Sequence, residues 1–265
     1  MLQRGPSLKF ERIRPYVDLM GRVRARALLA ACVGVAWPAQ AVGQEDLEST
    51  AWTAGVETDV ASAYLWRGLP YGGAVVQPSA WLGWADWSLT GFTNVPIEEP
   101  ADGVADEWDL SLASSWELGP VNVDPQVDLY TYPRWPDTVE ATLGIGLPIG
   151  PFTIATAHSV DLVAQAGAYY AEVSATWGVA PAEPLWLDVA VHAGAATARY
   201  HRAYAGAYES GATAIRGGPT LTWTISETFS ARTHGELAVL PDDEVAAAAG
   251  GRTAWNVGVA LGASR

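Results

Sequence analysis

Hydrophobic and polar residues alternate along most of the chain after residue 50, in segments of about ten residues. In the segment from Trp108 to Trp116, Leu110 and Leu112 share one side with the tryptophans, while Asp109 faces the other way. This follows because side chains of a β-strand point alternately to its two faces. At roughly 3.3 Å per residue and a tilt of about 40°, the two tryptophans are about 20 Å apart along a membrane normal. Such spacing is typical of the two aromatic belts of a transmembrane β-strand.

The connections between these segments are alternately short and mostly longer. In an outer-membrane barrel the short set would be periplasmic turns and the longer set extracellular loops, and an even strand number returns the C-terminus to the periplasm. A soluble β-sandwich has no reason to keep that two-sided alternation. The pattern therefore predicts an all-β protein, a transmembrane antiparallel up-and-down β-barrel of about 12 strands, near residues 52–66, 75–85, 87–96, 107–117, 121–132, 138–149, 152–161, 166–177, 186–197, 211–225, 228–239 and 253–263.

The N-terminal 41 residues have the layout of a secretory signal peptide. A basic region is followed by an apolar run at 27–37 and a small-x-small cleavage site ending at Ala41. A membrane span needs about 20 apolar residues, more than this run offers. Met20 begins a signal peptide of ordinary length by itself, and residues 29–32 also resemble a lipoprotein cleavage box at Cys32, so both alternatives stay open. We expect residues 42–50 to form a short periplasmic segment and residues 51–265 to form the barrel.

Removal of the signal peptide leaves a strongly acidic chain. Of the 15 Lys+Arg and 29 Asp+Glu residues, seven and two lie in the first 41 positions, which leaves 8 against 27 and a net charge of −19. Nucleic acid is not an expected partner, because binding phosphates requires a basic surface. The expected partners are the lipid bilayer, lipopolysaccharide, the outer-membrane assembly machinery and small solutes or ions. The expected location is the outer membrane of a Gram-negative-type bacterium.

The two faces of the predicted strands differ in polarity. An arginine on the lipid face at mid-bilayer lowers the stability of a barrel by about 2–4 kcal/mol. The polar side of each strand is therefore assigned to the lumen. On strand one this places Ser62, Tyr64 and Trp66 on the lipid side. His158, a polar residue, falls on the same predicted lipid-facing side as Phe152. A β-bulge or an earlier end of the strand would explain this position. The charged residues and histidine predicted to line the lumen or ion pathway are Glu57, Asp59, Arg67, Asp109, Asp124, Asp128, Glu140, Glu172, Asp188, Arg216, Arg232, His234 and Glu236.

A short motif at the end of the first strand resembles the TorF-like family of outer-membrane porins, which carry a Ser/Thr-Asp-Tyr-x-aromatic-Arg-Gly segment there. The resemblance covers roughly residues 50–95 and implies an outer-membrane barrel of about a dozen strands with a transport role. Ala63 stands where the family has Asp, which puts an Asp–Arg pair inside the lumen in doubt. The matching residues are Ser62, Tyr64, Trp66, Arg67 and Gly68, followed by Gln77 and Pro78 at the start of the next strand.

Three possible chemical sites compete with the simpler interpretation of solvated polar residues. His158 and Ser159 invite comparison with outer-membrane phospholipases, but adjacent residues of a strand point to opposite faces. His192 and His234 share the lumen parity with nearby carboxylates and could form a metal site, although no paired ligand spacing supports one. The acidic run at 98–107 could bind Ca²⁺. In each case the simpler interpretation is favoured, and we expect no catalytic residue, metal or cofactor.

The expected function is a channel for passive passage of small solutes. Inward carboxylates outnumber inward arginines, and rings of carboxylates concentrate cations, so the pore should prefer cations. A barrel of twelve strands is only moderately wider than one that side chains fill, so a plugged barrel with a structural or adhesive role is the main alternative. An outer-membrane lipid hydrolase is a third.

Overall fold

A computed structural model describes residues 52–98 and 106–265. The expected signal peptide, the segment at 42–50 and most of the acidic run at 98–107 lie outside the described residues. Within the described part, no helix is long and apolar enough to span a membrane. The strands are β1 (Trp52–Ala61), β2 (Tyr64–Trp66), β3 (Leu69–Gly72), β4 (Val75–Trp84), β5 (Trp87–Pro96), β6 (Glu107–Ser114), β7 (Trp116–Leu118), β8 (Val121–Thr131), β9 (Thr138–Ile149), β10 (Phe152–Asp161), β11 (Tyr169–Ala182), β12 (Leu185–Ala196), β13 (Gly211–Thr224), β14 (Phe229–Val239) and β15 (Thr253–Ser264).

The long strands close into an antiparallel barrel of 12 strands, which confirms the predicted fold class. Closure is made by β1, which pairs with both β4 and β15. β6 and β7 are two parts of one barrel strand, since both pair with β8. The interruption faces the part of β8 that contains Pro125, a residue with no backbone N–H to donate.

All the long connections emerge at one end of the barrel, the loop end, and the tight ones at the other, the turn end. Two short helices lie in loop-end connections: α1 (Ala198–Tyr200), continued by a π-helix (His201–Ala205), and α2 (Asp243–Ala248). Thr197 caps α1, and Asp242 caps α2 by accepting hydrogen bonds from the N–H groups of Glu244 and Val245.

The outside of the barrel is apolar. Leu143, predicted to face lipid, is 41% exposed, whereas its neighbour Thr142 is 4% exposed in the lumen. Large aromatic side chains lie on the outside near both ends. Trp52 and Trp84 stack at the turn end with ring centroids 6.0 Å apart, and Trp108 is exposed near the loop end. The predicted alternation of lipid-facing and lumen-facing residues is therefore present.

The first strand is shorter than predicted. It ends at Ala61 instead of residue 66, because the chain bends at 62–63 and β2 and β3 form a hairpin that turns into the lumen. The prediction that Tyr64 and Trp66 face lipid is wrong, since Tyr64 is buried and Trp66 half-buried inside the barrel. Ser62 lies at the bend, where its Oγ accepts a hydrogen bond from the N–H of Val257 at 3.0 Å.

The boundaries of the other barrel strands agree with the predicted ones to within one residue. The exception is the strand predicted at 166–177, which is found at Tyr169–Ala182. The bulge or early end expected near His158 is also wrong. β10 keeps an unbroken register with both neighbours, and His158 lies on the outside opposite Leu143. There its Nδ1 is 2.6 Å from the hydroxyl of Tyr169, and the two rings stack.

Candidate functional site: the lumen and its hairpin

The hairpin of β2 and β3, residues 64–72, crosses the lumen near the loop end. Trp66 pairs with Leu69, which leaves Arg67 and Gly68 as a two-residue turn with φ of 53° and 81°. Two positive φ angles define a type I′ turn, in which a non-glycine residue such as arginine is uncommon. A Cβ added to Gly68 would lie 2.7 Å from the Cβ of Ala214 on β13. Glycine is therefore required both by the turn and by its close approach to the wall.

Arg67 at the tip of this hairpin binds the far wall. Its Nη1 and Nη2 donate to the two carboxylate oxygens of Glu140 on β9 at 3.0 and 2.5 Å. Nη2 also donates to Oγ of Ser159 on β10 at 3.0 Å, and Nη1 to the hydroxyl of Tyr200 at 3.3 Å. β10 lies six strands around the barrel from β1, so the hairpin spans the lumen. The bidentate pair is 3–4% exposed at both partners.

Aromatic rings surround the same guanidinium. The Cζ of Arg67 lies 4.5 Å from the ring centroid of Trp66, 4.4 Å from that of Tyr170 and 5.7 Å from that of Tyr200. Tyr200 comes from α1 and stacks on Trp66 with centroids 6.0 Å apart. Cation–π contacts of this kind strengthen when they are removed from water. They join the hairpin and α1 into one packed unit.

A second layer covers the hairpin from the loop end. Leu69 of the hairpin packs with Leu240 and with Val245 of α2, and all three are at most 3% exposed. The hydroxyl of Tyr71 donates to the backbone carbonyl of Tyr204 in the π-helix. Hairpin and helices together occlude the loop end of the lumen.

Two further groups of charges lie deeper in the lumen. Arg216 bridges Glu172, at 3.0 Å, and Glu236, at 2.8 Å, and Glu172 also contacts Nδ1 of His192 at 2.8 Å. Arg232 and His234 on β14 reach across β15 to β1, where Arg232 pairs with Glu57 and His234 with Asp59, at 2.5 and 2.7 Å. These pairs neutralise part of the predicted ion pathway.

The other predicted lumen carboxylates have no basic partner among the described residues. Asp109, Asp124, Asp128 and Asp188 each hold one buried oxygen without a hydrogen-bond partner. All thirteen predicted lumen residues lie on the inner side of the wall or at the hairpin tip, and many are nearly buried, including Glu57 at 7%, Asp128 at 0% and Arg216 at 7% exposed. A wide aqueous pore would leave such side chains exposed, so the lumen in this structure is narrow.

Sequence reasoning missed several residues of this site. Glu107 accepts a 2.5 Å hydrogen bond from the hydroxyl of Tyr64, and Asp161 accepts one from Tyr204 at 2.5 Å. Both carboxylates share the inward parity of their strands, so the alternation contained a signal for them. Tyr200 lies in a helical connection, where alternation carries no information.

The motif residues divide between the hairpin and the adjacent wall. Tyr64, Trp66, Arg67 and Gly68 lie in the hairpin as described above. Gln77 on β4 donates to Oδ1 of Asn94 at 2.8 Å, and Pro78 pairs with Thr58 of β1. Ala63 offers Arg67 no carboxylate next to the hairpin, and Arg67 pairs with Glu140 on β9 instead.

The His158–Ser159 pair and the His192–His234 metal site considered above are not assembled. His158 lies outside the wall, while Ser159 is inside, bonded to Arg67 and 2.8 Å from Oγ1 of Thr142. His192 and His234 bind different carboxylates. Over residues 52–98 and 106–265, no group of three His, Cys, Asp or Glu side chains is arranged to hold a metal ion.

An apolar outer surface, aromatic belts at both ends and a polar interior define a twelve-stranded β-barrel of the outer-membrane type. Solved structures with this fold include the NanC porin, with a TM-score of 0.50 and 10% identity over 80% of this chain and 98% of that chain. The KdgM porin is similar, with a TM-score of 0.51 and 6% identity over 80% of this chain and 98% of that one. At this level of identity the likeness concerns the fold. No protein-family model matches the sequence, and no curated protein matches it.

Proposed function

We propose that the protein is an outer-membrane channel for small cations, closed at the loop end in the conformation described above. The observation that carries the proposal is the charge of the lumen. Nine predicted carboxylates, together with Glu107 and Asp161, lie on the lumen side. They outnumber the inward arginines Arg67, Arg216 and Arg232. A narrow, low-dielectric passage with this excess concentrates cations and repels anions.

The proposed location rests on the outer surface. Leucine, valine and isoleucine cover the middle of the barrel and tryptophan lies near both ends, which suits a bilayer with two interfacial regions. With the N-terminus in the periplasm, the loop end and its helices face the cell exterior. The expected signal peptide agrees with export, and the motif in the hairpin supports membership of the TorF-like porin family.

Passage of ions requires the hairpin to leave its position. Arg67 reaches from one wall to the other, and the aromatic rings of Trp66, Tyr170 and Tyr200 fill the space around it. A channel of this design conducts rarely in its resting state and conducts more when the Arg67 contact is broken.

A closed barrel with a structural or adhesive role through its loops is the second candidate. The buried bidentate contact between Arg67 and Glu140 favours it, because contacts of this kind are costly to break. An enzymatic role has no comparable support, since His158 and Ser159 lie on opposite sides of the wall.

Planar-bilayer recording of the refolded protein separates the two candidates. Cation-selective current from the wild type, increased in Arg67→Ala, supports the channel. If neither protein conducts, and a shift in gel migration on boiling shows that each is correctly folded, the closed barrel is supported.

A further inference from the structure

A histidine lies on the outer, lipid-facing wall of the barrel near the loop end. His158 on β10 is exposed between Leu143 and Ala171 of the adjacent strands. Its Nδ1 is 2.6 Å from the hydroxyl of Tyr169, and its Nε2 has no hydrogen-bond partner among the described residues. β10 ends at Asp161, so at roughly 3.3 Å per residue and a tilt of about 40° the histidine lies about 8 Å below the rim. A polar nitrogen without a partner is costly among acyl chains, and this depth suits the polar groups of lipids instead.

An exposed arginine lies above this histidine, at the rim. Arg199 of α1 is exposed, whereas the next residue, Tyr200, is 1% exposed inside the lumen. The Nη1 of Arg199 donates to the backbone carbonyl of Ala166, in the connection between β10 and β11. A Cβ added to Gly167 would lie 3.6 Å from the same nitrogen. The guanidinium therefore lies against the connection that leads into Tyr169.

Backbone hydrogen bonds hold this arginine next to the histidine–tyrosine pair. The N–H of Tyr169 donates to Oγ1 of Thr197 at 3.2 Å, and the N–H of Thr197 donates to the carbonyl of Tyr169 at 3.0 Å. Thr197 caps α1 and comes two residues before Arg199. Tyr169 thus contacts His158 through its side chain and the start of α1 through its backbone. His158, Tyr169 and Arg199 form one continuous set on the outside of the barrel, the outer strip.

The positive charge of the outer strip is not neutralised by the described part of the chain. The arginines that form ion pairs there are Arg67, Arg216, Arg232 and Arg252, and Arg199 is not among them. A guanidinium has five N–H donors in a planar arrangement, and the contact with the Ala166 carbonyl leaves most of them available. Such a group suits bidentate binding of a phosphate.

Large apolar side chains lie beside the arginine. Leu162 and Val163, just beyond the end of β10, are 51% and 58% exposed. The N–H groups of Val163 and Gln165 both donate to Oδ1 of Asp161 at 2.9 Å, which keeps this connection compact. Exposed apolar residues next to an unpaired cation suit a ligand that carries acyl chains and phosphate in one molecule.

We propose that the outer strip binds a phosphorylated lipid of the outer leaflet, lipopolysaccharide. Arg199 binds one of its phosphate groups at the rim, and Leu162 and Val163 contact its acyl chains. When the Tyr169 hydroxyl donates to Nδ1 of His158, the proton of the imidazole is on Nε2, which donates to the ester or amide groups below the phosphate. A soluble phosphate compound would meet Arg199 alone, because His158 lies at the depth of the lipid. The inference rests on the proposed outer-membrane location with the loop end outside, and it does not depend on conductance.

The test titrates the refolded mature protein in detergent micelles with bisphosphorylated lipid A, the membrane anchor of lipopolysaccharide. Native mass spectrometry measures the bound lipid, and dephosphorylated lipid A with the same acyl chains is the control ligand. We expect the wild type to prefer the phosphorylated lipid by about fivefold, the effect of one arginine at a lipid headgroup. Arg199→Ala should lose that preference, and His158→Leu should weaken binding of both lipids by roughly twofold, because it removes one hydrogen bond. Arg252→Ala is the matched control, because it removes another exposed arginine of the loop end with the same change in net charge.

Equal affinity of the wild type for the two lipids would overturn the site, as would equal losses in Arg199→Ala and Arg252→Ala. A lipid-free dimer that Arg199→Ala dissociates would assign the outer strip to a second copy of the chain and would also overturn it. His158→Leu leaves the arginine and its loop contact in place, so it keeps the test usable if Arg199→Ala fails to fold. Preference for phosphorylated lipid A in a protein that does not conduct keeps the site and removes the channel. A cation-selective current without that preference keeps the channel and removes the site.

Discussion

Arg67, at the tip of the lumen hairpin, donates two hydrogen bonds to the carboxylate of Glu140 on β9, at 3.0 and 2.5 Å. The contact joins residues 73 positions apart in sequence and closes the lumen near its loop end. Among the described residues, it is the one ion pair in which a turn residue, rather than a strand residue, supplies the positive charge for a lumen carboxylate. The stability of the barrel and its conductance should therefore both depend on it.

Arg67→Ala should destabilise the protein by about 3–5 kcal/mol, because it leaves Glu140 buried and charged without its partner. Arg67→Ala/Glu140→Gln should recover part of this loss, since the uncompensated charge is then gone. The free energy of unfolding in urea measures both effects. Arg252→Ala is the control, because the Arg252–Asp243 pair is 59% and 85% exposed, and exposed pairs contribute about 0–1 kcal/mol. Similar losses for Arg67→Ala and Arg252→Ala would contradict a role of the lumen contact in stability.

Gly68→Ala should displace the hairpin from the wall. Its φ of 81° strains an alanine, and the new Cβ would meet that of Ala214 at 2.7 Å. Gly119→Ala isolates the first effect, because Gly119 has a φ of 65° with nothing within 4 Å. We expect Gly119→Ala to lower the free energy of unfolding by about 1 kcal/mol and Gly68→Ala to lower it by clearly more. Only Gly68→Ala should also increase the conductance. If the two variants behave alike in unfolding and conductance, the tip does not pack against β13.

Leu143→Arg should cost about 2–4 kcal/mol, because it places a charge in the hydrocarbon at mid-strand. Gln126→Arg is the matched variant at similar depth on the adjacent strand. Its side chain faces the lumen near Asp128, where a positive charge is favourable, so its cost should be much smaller. Unfolding in lipid vesicles compares the two. A larger loss for Gln126→Arg would reverse the assignment of the faces.

The sequence predicts the strands well because alternation reports directly which side of each strand meets lipid. Leu143 and Thr142, or Val189 and Asp188, can be assigned to opposite faces without knowledge of their neighbours. The same rule failed at Tyr64 and Trp66, which continue the parity of β1 after the strand has ended. Their aromatic character suits a membrane interface as well as a packed lumen, so residue type did not reveal the bend.

Partners across the lumen were beyond sequence reasoning. Arg67 pairs with Glu140 and stacks near Tyr170 and Tyr200, which depends on how far the hairpin reaches and where α1 folds. Strand parity places Glu140 inside but does not say which of three inward arginines it meets. The count of inward carboxylates was predictable, whereas the pairing that neutralises some of them and leaves Asp109 and Asp128 without a basic partner was not.

The reversal potential in a KCl gradient tests the central claim most directly. It is recorded in planar bilayers for the wild type and, because the hairpin closes the lumen, also for Arg67→Ala. We predict the sign of a K⁺-selective pore in both, with selectivity that weakens at 1 M salt, where the Debye length falls to about 3 Å. A potential of the opposite sign, showing preference for Cl⁻, would contradict the account, and so would silence of both proteins in a correctly folded state.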